Sequence, residues 1–557
     1  MNALPRVVSG IALLAVVSCG GGGGGGGPAP TPTPGGTGGT GGSGGGETVT
    51  EEPGSLDHCQ PRSGVFSNVT EALGLCYEVP GDDTATEIEE LGGGLALADF
   101  DKDARLDLYV AYGQQQFGEL FGFDGTRFNK REPSGITPAS MDIAGYFVDV
   151  DGDGLKDFVS AQKDGVEVFM NDGNGRFVPG GDATNIDNER ATFSMAAGDY
   201  DLDGDLDLFF AHWGTGYIGG QQEYLWENKG AGRFLDVSYR VPVASSFSGN
   251  MLESEYSFTP IFADFDDDGD PDLLMANDFE SSQVLMNAFG GDLFLDLTSD
   301  EISDENGMGS AVTDYDRDGD LDWFVTSIWD PDVEKNGSGN RLYQNADGFG
   351  GFLDVTEEAG VREGHWGWGA CFADFDNDGH MDIFHTNGHR EQGRPQFRTD
   401  PSVLFMSNGD GTFTERATEL GVVHTDQGRG VVCADYNDDG LVDIFIANNG
   451  KSPTVFRNDH DNGNHYIAID LAGLDGNPEA IGAKVRVTSA SGTQFQEVQL
   501  GNGYLSHGPA TLHFGLGEDD HITAVDVVWP GPGGHATRVE GLSIDRKVSI
   551  RHPLGGG

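Results

Sequence analysis

The chain has 557 residues and a formal net charge of −61, set by 31 basic against 92 acidic side chains. An acidic excess of that size excludes nucleic acid and anionic membrane surfaces as direct partners. The length admits two or three domains or one large repeat array, and no run beyond the first residues is long and apolar enough to span a membrane.

The N-terminus reads as an export signal. Arg6 gives a modest positive start, and the apolar run from Val7 to Val17 is too short to cross a bilayer. It ends in Val16-Val17-Ser18-Cys19, which resembles a bacterial lipoprotein lipobox with Cys19 as the lipidated residue; an ordinary cleaved signal peptide is the alternative. Residues 1–19 are therefore assigned to the signal and residues 20–62 to a tether. The Gly, Pro and Thr of residues 20–46 have no apolar surface to bury, which predicts a disordered segment with a reach of about 30 Å. Export into an oxidising compartment lets Cys59 and Cys76, 17 residues apart, either form a disulfide or remain free. Cys371 and Cys433 precede neighbouring acidic loops by three and two residues; that parity puts them on opposite strand faces and predicts buried free thiols.

From Asp99 onward one nine-residue pattern, D-x-D-x-D-G-x-x-D, occurs seven times at intervals of 50, 50, 65, 50, 60 and 61 residues. Its positions 1, 3, 5 and 9 are Asp99, Asp101, Asp103 and Asp107; Asp149, Asp151, Asp153 and Asp157; Asp199, Asp201, Asp203 and Asp207; Asp264, Asp266, Asp268 and Asp272; Asp314, Asp316, Asp318 and Asp322; Asp374, Asp376, Asp378 and Asp382; and Asp435, Asn437, Asp439 and Asp443. Carboxylates at this spacing suit a hard cation that takes six to eight oxygens, and glycine at position 6 permits the sharp turn. The position-7 carbonyls of Arg105, Leu155, Asp205, Asp270, Asp320, His380 and Leu441 supply one more candidate ligand each. An EF-hand loop would run to twelve residues between helices and close on Glu; here position 12 is apolar, as in Phe210, and the flanks read as strands. The expectation is up to seven structural Ca2+ ions in a β framework, since the loops carry no adjacent Lys or Arg cluster to balance them. Two departures stand out: Ala104 at position 6 should strain its turn, and Asn437 should weaken its site slightly.

Each repeat reads as four short strands. A small and apolar strand such as Gly93-Gly94-Leu95-Ala96-Leu97-Ala98 precedes the loop, and an aliphatic or aromatic one such as Leu206-Asp207-Leu208-Phe209-Phe210 follows it. A third, as in Val168-Phe169-Met170, leads into the turn Asn171-Asp172-Gly173-Asn174-Gly175, and a fourth opens near Phe177. Four antiparallel strands per repeat make a propeller blade. Phe66-Ser67-Asn68-Val69-Thr70 matches Phe352-Leu353-Asp354-Val355-Thr356 and precedes the first loop, while the seventh repeat lacks such a strand. Residues near 65–70 are therefore expected to complete the last blade and leave no sheet edge.

These loops, with their G-x-x-x-A-D-F-D-x-D-G-x-x-D-L surroundings, resemble FG-GAP or VCBS repeats, the integrin-α type of propeller, over residues 63–460. The resemblance implies one calcium ion per loop between the first two strands of a blade. Beyond His465 the acidic loops stop and alternating strands appear, such as Ala483-Lys484-Val485-Arg486-Val487. Ile481-Gly482-Ala483, Gly501-Asn502-Gly503-Tyr504-Leu505-Ser506, His513-Phe514-Gly515-Leu516-Gly517 and Trp529-Pro530-Gly531 resemble the ASPIC/UnbV domain of the cartilage-acidic-protein-like family, over residues 464–551. The fold class expected is all-β: a seven-bladed propeller with calcium loops and a small C-terminal β domain.

Blade topology puts the acidic loops and the Asn-Asp-Gly turns on one face and the variable connections on the other. Trp213, Tyr217, Trp329, His385, His389 and Arg390 fall on that second face and form the expected partner surface, with Trp366 and Trp368 assigned to packing between blades. The best case for catalysis gathers His365, His385, His389 and Glu391 around an axial channel, but no G-x-S-x-G, H-E-x-x-H or nucleotide-type glycine loop is present. The reading is a monomeric, lipid-anchored binding or adhesion protein at the outer membrane, the cell surface or facing the periplasm. It would engage an extracellular or periplasmic protein or glycan and touch the membrane only through its anchor. A lectin-like carbohydrate binder is the alternative, and a polysaccharide lyase or hydrolase a more distant one.

Overall fold

Small residues before each acidic loop and bulky ones after it sort the strands by distance from a common axis. The computed structural model describes residues 57–555 apart from residues 81–85, 182–183, 187–189, 214–222, 243–255, 281, 334–336, 347, 391–393, 502 and 532. The signal and lipobox with Cys19, most of the tether, Tyr217 and Glu391 therefore lie outside the described residues. Within them, seven four-stranded antiparallel sheets follow one another, six holding their strands in sequence order and the seventh taking its outer strand from the chain's beginning. Blade 2 is representative: Asp142–Val148, Asp157–Gln162, Gly165–Asn171 and Phe177–Pro179. The first strand of each blade touches the first strands of both neighbours, so these strands line the axis. Ala96, Ala144, Ala196, Ala311 and Ala370 on them are fully or almost fully buried, small enough for the crowding there.

The ring closes as the N-terminal match predicts. Phe66–Asn68 pairs antiparallel with Thr454–Asn458 in the register Phe66↔Asn458, Ser67↔Arg457 and Asn68↔Phe456. The last blade thus takes its outer strand from the chain's beginning, which leaves no unfinished blade to pair with a second molecule. A buried phenylalanine anchors the outer strand of all seven blades (Phe66, Phe128, Phe177, Phe234, Phe294, Phe352 and Phe413), and burial of each contributes about 1.5–3 kcal/mol.

Cys59 and Cys76 are bonded, with Cα atoms 5.8 Å apart. Cys371 and Cys433 are bonded too, at 6.3 Å, and this corrects the expectation of free thiols. The two cysteines do lie on opposite strand faces, and that is what lets them meet. Cys371 lies on the first strand of blade 6 (Gly367–Ala373) and Cys433 on that of blade 7 (Gly428–Ala434). Stacked blades appose the front of one sheet to the back of the next, so opposite faces are the ones that meet. A bond across 62 residues restricts the unfolded chain, and losing it costs about 2–4 kcal/mol. Replacing both cysteines with alanine should lower the unfolding free energy by that amount in urea; superimposable curves for variant and oxidised parent would show the bond is not made.

The C-terminal segment folds into two sheets. His465–Ala472 is flanked by Leu512–Gly517 (antiparallel) and Arg546–Arg551 (parallel). The second sheet runs in the order Thr493–Glu497, Lys484–Thr488, Ala524–Val528, Ala536–Val539. A strap between the sheets enters the propeller axis. Its residue His507 exchanges backbone hydrogen bonds with Leu95 and Leu97 at 3.0 and 2.9 Å, Leu500 accepts from Ala197, and Gly503 donates to Ser310. Tyr504 and Leu505, both fully buried, share one core with Leu91, Phe193, Phe258, Met308 and Trp368. The strap therefore plugs the axial channel with Tyr504 and Leu505, and a cavity lined by Ala311, Ala370, Val431, Gly501 and Gly508 remains beside it.

Candidate functional site

The acidic loops are built identically to within their sequence differences. In all seven, the amide of residue 6 donates to the residue-1 carboxylate, for example Gly154 to Asp149 at 2.7 Å and Gly440 to Asp435 at 2.8 Å. The amides of Arg105, Leu155, Asp205, Asp270, Asp320, His380 and Leu441 each donate to the residue-5 carboxylate, so the carbonyls of these position-7 residues are their remaining backbone polar groups. The residue-9 carboxylate accepts from the third strand of its own blade at 2.7–2.9 Å, from Phe123, Asn171, Asn228, Asn287, Asn345, Ser407 and Asn458. Each loop therefore ties three strands of one blade around a knot of oxygens.

Those oxygens converge. Asp99, Asp101 and Asp107 each bring one carboxylate oxygen within 4.8 Å of the others, and so do Asp149, Asp151 and Asp157; Asp199, Asp201 and Asp203; Asp264, Asp266 and Asp272; and Asp314, Asp316 and Asp322. Several lack any hydrogen-bond partner although buried: Asp101 Oδ1, Asp107 Oδ2, Asp199 Oδ1 and Asp314 Oδ1. Burial, added to by neighbouring carboxylates, pushes Asp107 up to about 8, Asp157 to about 7 and Asp272 to about 9. Asp207, Asp322, Asp382 and Asp443 move in the same direction for the same reasons. Buried carboxylates set to repel one another, some of their oxygens without a hydrogen-bond donor, are a ligand set that fits a divalent cation.

Ala104 sits at φ +67°, in the left-handed region that its glycine counterparts occupy freely. The conformation costs an alanine about 1–2 kcal/mol, part of which glycine returns as unfolded-chain entropy. Ala104→Gly should therefore stabilise the protein by about 0.5–1 kcal/mol in denaturant unfolding, and a destabilised variant would refute the strain.

Three features of the loops escaped the sequence. The Asn that ends the third strand looked like a turn residue, yet its side-chain amide also reaches the preceding blade: Asn171 donates to Phe100 O at 2.9 Å, Asn228 to Val150 O, Asn287 to Tyr200 O, Asn345 to Phe265 O and Asn458 to Phe375 O. Its recurrence at one place in five repeats was the available signal. Single cations also reach the loops, one from within the nonamer and others from a distance, although no Lys or Arg cluster is adjacent in sequence. Arg131 pairs with Asp101, Arg105 with Asp103, and Lys229 approaches Asp201 and Asp203. Lys484 Nζ lies 2.6 Å from Asp264 Oδ2 and 2.5 Å from Asp267 Oδ1. Third, the C-terminal sheets rest on the loop face. Besides Lys484, His513 Nε2 is 2.7 Å from Asn377 Oδ1, Lys547 pairs with Asp438 at 2.6 Å, and Glu479 pairs with Lys156.

The opposite mouth is more closed than expected. Trp213 is buried, donates to Asp278 at 3.1 Å and stacks on Phe258; it belongs to the core and is removed from the partner surface. His385 is removed too: fully buried, it bonds Asn387 and Asn340, and burial pushes its imidazole down to about 4. His385 lies within the second strand of its blade (Asp382–Asn387) and Trp213 directly follows that of blade 3 (Asp207–His212), so neither belongs to the connection a loop reading supposes. Trp329, His389 and Arg390 stay half-buried at the mouth. Trp366 and Trp368 pack inside, as assigned, with the His389 ring between them at 4.4 and 5.9 Å.

A model of the FG-GAP-like repeat matches residues 149–210 and 314–385, and one described as ASPIC and UnbV matches residues 473–555. Cartilage acidic protein 1 of Mus musculus is 29% identical over 263 residues, an alignment that covers 45% of this chain and 38% of that protein. The Homo sapiens protein of the same name is 28% identical over 263 residues, covering 45% and 37%. The chain thus spans about two fifths of the length of the curated relatives it matches. Among solved structures, an Agrocybe aegerita lectin described by its specific recognition of non-reducing terminal N-acetylglucosamine aligns with 66% of this chain and 94% of its own, at 16% identity and a TM-score of 0.39.

Proposed function

Taking the chain as a propeller of FG-GAP-like repeats with an ASPIC and UnbV domain, related to the cartilage acidic proteins, we propose that it is an exported, calcium-stabilised binding protein of the cell envelope. Its anchor is a lipid on Cys19, and it works as a monomer. Calcium is structural: each ion neutralises one carboxylate knot and ties the strands of a blade, so the metal is spread around the ring and not gathered at one reacting centre. The observation that supports the reading is the convergence of carboxylates in loop after loop, with buried oxygens that lack any donor in the loops that begin at Asp99, Asp199 and Asp314. The C-terminal sheets cover much of that face, which leaves the opposite mouth, with Trp329, His389 and Arg390, for an extracellular or periplasmic protein or glycan.

Calorimetric titration of the chelated full chain tests the metal, with up to seven calcium ions bound per chain as the expected result and no heat of binding as the refutation. Capture of envelope material on the calcium-loaded chain tests the face. Trp329→Ala combined with Arg390→Ala should abolish capture, while Lys547→Ala on the loop face should leave it intact. The reverse pattern would move the binding surface to the loop face.

A further inference from the structure

The phrase His513-Phe514-Gly515-Leu516-Gly517 alternates between the two faces of its strand. Phe514 and Leu516 are buried in the C-terminal core, and the other three residues lie against acidic loop 6, which runs from Asp374 to Asp382. His513 Nε2 is 2.7 Å from Asn377 Oδ1, and the Gly517 amide donates to Asn377 O at 2.8 Å. The Asn377 amide nitrogen donates to Gly440 O of loop 7 at 3.0 Å, so its side-chain oxygen is the acceptor and the imidazole the donor. Gly515 comes closer still. A methyl added there would sit 1.9 Å from Asp374 Oδ2 and 2.6 Å from the Asn377 backbone, so only glycine lets the strand approach the loop this far.

Asn377 holds this place because of how the loop turns. It is position 4, between the carboxylates of Asp376 and Asp378 at positions 3 and 5. For those two to face one ion, the residue between them must face away. All seven position-4 residues have positive φ, from +57° at Asp267, Asn377 and Asp438 to +74° at Gly152. Six of them are not glycine, and such a backbone persists there only where its surroundings hold it. Position 4 also meets the C-terminal sheets in loops 4 and 7, where Asp267 pairs with Lys484 and Asp438 with Lys547. Those two carboxylates are more than half exposed and contribute little, whereas Asn377 is buried. Loop 1 is the contrast: Lys102 is exposed and meets no C-terminal residue among the described residues.

We infer that loop 6 is a calcium-set seat for the C-terminal sheets: with an ion held by Asp374, Asp376, Asp378 and Asp382, the turn presents Asn377 to His513 and Gly517, so filling the loop and seating Leu512–Gly517 strengthen each other. The inference rests on the reading that the acidic loops bind calcium, and it gives one of them a second task. Without an ion the four carboxylates repel one another and the turn relaxes. The two hydrogen bonds to Asn377 and the approach of Gly515 to Asp374 are then lost together. Linkage makes the effect mutual, so a strand that cannot seat weakens the ion by the same factor.

The test compares Asp378→Ala in loop 6 with Asp103→Ala, the same position of loop 1. Calorimetric calcium titration of the full chain counts the ions. Hydrogen exchange reads Leu512–Gly517 and His465–Ala472, with Gly165–Asn171 of blade 2 as the reference. Each variant should lose one calcium ion. Only Asp378→Ala should speed exchange in the two C-terminal strands, by about tenfold or more, with the reference strand unchanged. Asn377→Gly keeps the left-handed turn and every carboxylate. It should speed the same amides while the full number of ions still binds, one of them several-fold more weakly. Unchanged exchange in Asp378→Ala or in Asn377→Gly, equal acceleration by Asp103→Ala, or an Asp378→Ala chain that loses no ion would each overturn the seat. If the parent itself binds no calcium, the metal reading falls and the seat with it. If ions bind and the C-terminal strands are unmoved, only the seat falls.

Discussion

At pH 8 with chelator, the protein should melt at least about 10 °C below its calcium-loaded form, and the gap should shrink steadily as the pH falls towards 5. The size follows from mass action: a site filled at a hundred times its dissociation constant contributes about 2.7 kcal/mol, and several such sites act on one cooperative ring. The pH dependence follows from the loops. The carboxyls of Asp107, Asp157 and Asp272, at about 8, 7 and 9 without metal, lie far above the ordinary aspartate value near 3.9 that they have in the unfolded chain. A group whose folded value is raised contributes stability that is fully present below about pH 4 and is lost as pH rises through its folded value. The metal-free protein should therefore weaken between about pH 5 and 9. Calcium removes that slope because it binds the ionised form, and binding at pH 6 should release protons. Scanning calorimetry with and without chelator across this range decides the matter. A chelated protein whose Tm held level or rose from pH 5 to 9 would mean the carboxylates are not the metal-free protein's burden.

The second large effect concerns the strap through the axis. Tyr504→Ala should cost about 3–5 kcal/mol, the usual range for deleting a fully buried aromatic ring. The ring packs against Phe258 and Trp368 at centroid distances of 5.4 and 5.2 Å, and its hydroxyl donates to Leu91 O at 3.1 Å. Gly94→Ala attacks the same contact from the propeller side, since the added methyl would sit 2.0 Å from the carbonyl oxygen of Leu505, inside any tolerable approach. Both variants should destabilise the propeller and the C-terminal sheets together. Hydrogen exchange at Lys484–Thr488 and at Leu95–Ala98 reads the two sides separately. If either variant loosened only the C-terminal sheets and left the propeller's first strands fully protected, the strap would be a passenger and not part of the core.

The way sequence and structure divide the explanation can be seen in single residues. The seven acidic nonamers, their strand flanks and the strand given by Phe66–Asn68 to the last blade were legible because they are local or repeated. A spacing of two between carboxylates, a small-apolar run and a duplicated F-x-x-V-T phrase keep their meaning wherever they stand in the chain. The strain at Ala104 was legible for the same reason, since one turn has one residue at its sixth position. What the linear order could not give is which surfaces meet. Cys371 and Cys433 bond because stacked sheets bring front to back, Lys484 reaches Asp264 across more than two hundred residues, and the glycine-rich strap around Tyr504 becomes the hub of a ring it follows in sequence. The acidic pattern alone determined that this chain concentrates carboxylates for a hard cation in a β framework. Only the tertiary packing decided that a strap plugs the axis and that the C-terminal sheets rest on the loop face, because apolar burial and backbone pairing act between segments whose separation along the chain leaves no periodic trace.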